Sequence, residues 1–71
     1  MDFTERENEA KRLIDTMVAD SELTTDDKLE MLQDWQMKAF NRLLDPRPKP
    51  AREVKCLNVI IEYTKEKVSF V

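Results

Sequence analysis

Residues 51–67 read Ala51-Arg52-Glu53-Val54-Lys55-Cys56-Leu57-Asn58-Val59-Ile60-Ile61-Glu62-Tyr63-Thr64-Lys65-Glu66-Lys67, and the fold class turns on whether they form a helix or a strand. The β-branched run Val59-Ile60-Ile61 favours a strand over 56–63. A half-buried strand alternates apolar with polar residues, and here the apolar residues stand side by side. No second segment offers a strand to pair with. Val54, Leu57, Ile61, Thr64 and Val68 instead recur at alternating three- and four-residue steps, the repeat of one helix face. The spacing predicts a helix over 51–67. Cys56, Val59, Ile60 and Tyr63 add apolar surface beside that stripe, more than a helix at the edge of a small monomer needs. The third helix is therefore expected at the centre of the fold or at an interface.

Immediately before it, Pro46-Arg47-Pro48-Lys49-Pro50 alternates proline with a base. Such a segment favours extended polyproline geometry and makes a stiff connector over 46–50. Pro50 suits the first position of the following helix, where its missing amide costs nothing. Asp45 precedes Pro46 and is pushed out of helical space, which ends the helix before it. That helix is read over 25–44, roughly 30 Å long at 1.5 Å per residue. Leu29, Leu32, Trp35, Ala39, Phe40, Leu43 and Leu44 form its apolar stripe, widened by Met31 and Met37. Trp35 and Phe40 are expected in the core. Thr24 and Thr25 both offer an N-cap, with Asp26 and Asp27 in the first turn.

The first helix is read over 5–19. Ala10, Leu13, Ile14, Met17 and Val18 give a one-sided stripe, and Asp20-Ser21 breaks it. Thr4-Glu5-Arg6-Glu7 matches a capping box, with Thr4 and Glu7 exchanging hydrogen bonds. The expected architecture is all-α: a single helical domain over 1–71, in which the first two helices make an antiparallel hairpin and the third packs across them. The apolar tail Val68-Ser69-Phe70-Val71 is expected to dock on the core or on a partner.

Charge divides along the chain. Residues 1–34 hold eleven acids against four bases and residues 35–71 hold eight bases against four acids, −7 and +4, which sum to the formal −3. A molecule with such a dipole favours oriented association with itself or with a charged partner. A chain of 71 residues buries about 60% of its unfolded surface, so its own core is marginal. One cysteine forms no internal disulfide, and one cysteine without histidine assembles no ordinary zinc site. Self-association is the remaining route to added stability.

Chemistry is poorly supplied. Histidine and glycine are both absent, which removes the usual general base, oxyanion turns, phosphate-cradling loops and dinucleotide fingerprints. Cys56 lies among apolar residues that raise a thiol pKa. Carboxylate pairs such as Asp26/Glu30 and Glu62/Glu66 belong to solvated helix faces. Glu22, Asp26, Asp27 and Glu30 lack the glycine of a calcium loop. The expectation is a non-enzyme with no metal, cofactor or small-molecule substrate. No apolar run approaches the ~20 residues of a membrane span, and the acidic start does not resemble a secretory signal. With a lone thiol, this predicts a cytoplasmic protein.

Two surfaces remain as candidate sites. Cys56, Val59, Ile60, Tyr63, Phe70 and Val71 make the expected partner or dimer interface. Lys38, Arg42, Arg47, Lys49, Arg52 and Lys55 make a basic patch opposed by only Asp45 and Glu53. The favoured reading is a small protein–protein interaction module, an inhibitor, adaptor or accessory regulator that docks a preformed helical face on a larger protein. A two-fold homodimer would bring each acidic half to the other copy's basic half. The alternative is a helical nucleic-acid-binding regulator using the patch at 38–55. In size and composition the whole chain resembles the small accessory proteins of large tailed phages, including cytoplasmic antiholin-like lysis-inhibition accessories. That resemblance implies a regulator and assigns no residue a role.

Overall fold

The structure is a computed structural model that describes residues 2–71, and it is all-α. Helix α1 spans Phe3–Ala19, α2 spans Thr25–Leu44 and α3 spans Ala51–Val68. The strand alternative for 56–63 is thereby resolved in favour of helix.

Helix α1 begins two residues earlier than the apolar repeat suggests, because Asp2 is its N-cap. The Asp2 carboxylate accepts hydrogen bonds from the Thr4 amide at 2.6 Å and the Glu5 amide at 3.2 Å. These amides hold its pKa below the usual carboxylate range, that of Glu5 first. The Thr4–Glu7 capping box does not form, since Thr4 already lies inside the helix. A carboxylate at the cap serves the positive helix end better than a hydroxyl one turn in. The capping box occurs instead at α2. The Asp27 amide donates to Thr24 Oγ1 at 3.1 Å and the Thr24 amide donates to Asp27 Oδ2 at 3.2 Å. At α3, Pro50 stands at the cap itself and Ala51 is the first helical residue.

The order of packing departs from the hairpin expectation. Helix α3 packs along both α1 and α2, whereas α1 and α2 share only a narrow contact. The central element is thus the most apolar helix, one of the two places its circumference required. Two apolar nests hold the helices together. In the first, Ala10 of α1, Ala39 of α2 and Cys56 of α3 meet with Ile60 and Ile61. Three small residues, one from each helix, allow the backbones to approach closely. In the second, Ile14 and Met17 meet Leu32 near the 20–24 turn, and Val71 of the tail packs against them. Trp35 is half-buried and borders both nests.

Polar contacts fasten α3 at both ends. Near its start, Glu53 is buried and ion-paired with Arg42 of α2. Near its end, the Tyr63 hydroxyl donates to Asp15 Oδ1 of α1 at 2.5 Å, and Lys67 Nζ approaches the same oxygen at 3.2 Å. The Lys67 ammonium also lies 5.1 Å from the Tyr63 ring centroid and 5.2 Å from that of Phe70, within cation–π range. The hydroxyl of Tyr63 and then the Lys67 ammonium lower the Asp15 pKa, and the Asp15 carboxylate raises that of Tyr63.

Candidate docking surface

The six residues expected to form a partner face do not share one. Cys56 and Ile60 are buried within the single chain, in the nest with Ala10 and Ala39. As core residues they cannot meet a partner, which corrects their assignment; α1 and α2 cover the side of α3 on which they lie. Burial pushes the Cys56 thiol pKa up, and the nearby Glu7 carboxylate adds to the effect. Tyr63 is half-buried and engaged by Asp15. Val71 is half-buried against the second nest. Val59 remains half-buried, and Phe70 is 67% exposed.

The basic patch is also dispersed. Arg42 pairs with Glu53 and reaches Asp45 at 3.6 Å. Arg47 pairs with Asp45 at 2.5 Å, and Lys49 Nζ donates to the Asp45 carbonyl. These three bases clamp the proline connector to the end of α2. With Arg47 as the first cause, the Asp45 carboxyl is lowered to about 2. Arg42 likewise lowers the Glu53 carboxyl. Lys38 pairs with Asp34 one turn earlier, at 3.1 Å. Arg52 and Lys55 are exposed on α3. Much of the positive charge at 38–55 is therefore matched locally.

Most of the uncovered apolar surface lies on α2, the helix whose Trp35 and Phe40 are expected in the core, with Leu13, Val68 and Phe70 exposed elsewhere. Leu32 is fully buried and Ala39 nearly so, with Leu43 half-buried beside them. Met37 is 55% exposed, Phe40 44% and Leu44 78%, and Leu29 is also exposed. Phe40 is thus not a core residue, a correction with a geometric cause. Positions 33, 37, 40 and 44 follow steps of four, three and four residues and form one face, roughly 120° around the helix from Leu32 and Ala39. Helix α3 covers one side of α2, and α1 touches it only narrowly. The outer face carries Met37, Phe40 and Leu44 with the uncharged Gln33, and among the described residues no other helix packs over it. The width of the α2 stripe was the available signal. It covers more circumference than two neighbours can shelter, the same argument that marked α3.

No family model, curated protein or solved structure matches this chain. No helix among the described residues is long and apolar enough to cross a membrane. No group of three or more acidic or thiol side chains among them is placed to hold a metal ion.

Proposed function

We propose that this chain is a small non-catalytic protein–protein interaction module, an inhibitor, adaptor or accessory regulator, which docks the outer face of α2 on another protein. The observation that carries this reading is the seam of Met37, Phe40 and Leu44, exposed on a rigid twenty-residue helix. The described residues expose eight large apolar side chains, as many as the apolar residues they bury, and two of the buried ones are alanines. Surface apolar residues scattered singly are ordinary, but a row on one helix face marks a contact site. A preformed helix spares a partner the cost of ordering it, and methionine and phenylalanine adapt to an apolar groove. The division of charge along the chain orients the encounter. The nucleic-acid alternative has weaker support, since Lys38, Arg42 and Arg47 already face carboxylates within the chain.

The test immobilises wild type, Phe40→Glu, and Phe70→Glu as a control of equal chemistry at a different exposed site. A defined species retained by wild type and by Phe70→Glu, and lost with Phe40→Glu, is the expected result. Retention that is indifferent to Phe40→Glu overturns the assignment of this face.

A further inference from the structure

We infer that, in the free protein, the outer face of α2 is covered by the same face of a second copy, in an antiparallel two-fold pair. This rests on the reading of that face as a docking surface and names its occupant. Charge carries the argument. Residues 25–34 hold Asp26, Asp27, Glu30 and Asp34 against Lys28, a net −3. Residues 35–50 hold Lys38, Arg42, Arg47 and Lys49 against Asp45, a net +3. Helix α2 is thus a rod whose two ends, the second taken with the connector that Arg47 and Lys49 hold against it, carry opposite net charge. Two such rods laid side by side in parallel set like charges together along their whole length. Laid antiparallel, each acidic end lies beside a basic end, and the helix dipoles oppose one another favourably as well.

The seam fits that arrangement. Gln33, Met37, Phe40 and Leu44 follow the alternating spacing by which two helices interlock, and the two-fold axis falls between Met37 and Phe40. Met37 of one copy then packs beside Phe40 of the other, and Gln33 beside Leu44. A two-fold contact uses one patch twice, so a single self-complementary surface closes the assembly and leaves no free end to polymerise. Lys38 and Arg47 each keep a carboxylate partner within the chain, Asp34 and Asp45, yet 75% and 76% of the two basic side chains is exposed, so they add to the field at this end of the helix without being free to leave those partners. A target protein competes with the second copy for the same face, which makes the pair the resting form of the module.

Sedimentation across a wide concentration series reads the state directly. Wild type is expected to move from one to two chains as concentration rises, with weaker association at high salt. Phe40→Glu, at an exposed position, is expected to remain a single chain with unchanged helicity, its self-association weakened by at least about tenfold. Phe70→Glu is expected to pair as wild type does. Orientation is read by mixing Gln33→Cys copies with Leu44→Cys copies under mild oxidation, while the buried Cys56 stays silent. Antiparallel pairing forms bridges between the two variants. It forms few between like variants, because two Gln33 positions lie about 16 Å apart along the axes, beyond disulfide reach. A single chain at every concentration, pairing that survives Phe40→Glu, or bridges mainly between like variants overturns the inference. A monomeric wild type that still captures a protein through Phe40 would leave the docking reading intact and remove only the second copy.

Discussion

Leu32→Ala and Leu44→Ala make a matched pair of perturbations on one helix. Both leucines belong to the same apolar repeat, and both changes remove the same atoms. Leu32 is 0% exposed between Ile14 and Met17, whereas Leu44 is 78% exposed. Removing a fully buried leucine loses its transfer free energy and leaves a cavity, and costs about 3 kcal/mol within a usual range of about 2–5 kcal/mol. The whole stability of 71 residues is about 4–10 kcal/mol at the usual value per residue. The unfolding entropy of such a chain is about 0.15 kcal/mol/K, so a loss of about 3 kcal/mol lowers Tm by about 20 °C. Leu44→Ala leaves a surface position and changes stability by no more than about 0.5 kcal/mol, or about 3 °C. Thermal unfolding followed by circular dichroism at 222 nm, the usual helix wavelength, compares the two at one protein concentration. Equal losses, or a larger loss at Leu44, would refute the orientation of α2 and with it the outer seam. The concentration must lie below the range of self-association, because a dimer would lend Leu44 stability of its own.

Thr24→Ala removes one side of the capping box at α2 and is expected to cost about 1 kcal/mol, read as a Tm lower by about 7 °C. Thr4→Ala, at the unformed box of α1, is expected to change Tm far less, and equal effects would contradict Asp2 as the cap. Asp45 has a folded pKa of about 2, below its ordinary 3.8. Its contribution is therefore fully present above pH 3.8 and lost as pH falls towards about 2. In an acid titration of stability, Asp45→Asn is expected to flatten the loss in that window relative to wild type, and an unchanged slope would count against the clamp on the connector.

The elements themselves were legible because their signals are local. The proline alternation, the breaks at Asp20-Ser21 and Asp45-Pro46, and the three- and four-residue repeats each act within a turn or two of chain. Their boundaries came within two residues. The cap of α1 was missed because Thr4-Glu7 and Asp2 both satisfy local rules, and only one end can be the start. The candidate site was much less legible. Ile60 and Cys56 are apolar and Phe40 is apolar, and nothing in their identity says which face a neighbour will cover.

Composition and periodicity alone determined an all-α chain of three helices, with a stiff proline joint and more apolar circumference than so few helices can hide. Tertiary structure alone decided where the excess came to lie. Helix α3 sits between α1 and α2 and spends its apolar faces on both, while α2 has α3 on one side and barely touches α1. Helical periodicity describes a side chain's angle about its own axis. Burial depends on where the other axes stand, a non-local quantity set by the close approach of Ala10, Ala39 and Cys56 and by the ion pair of Arg42 with Glu53.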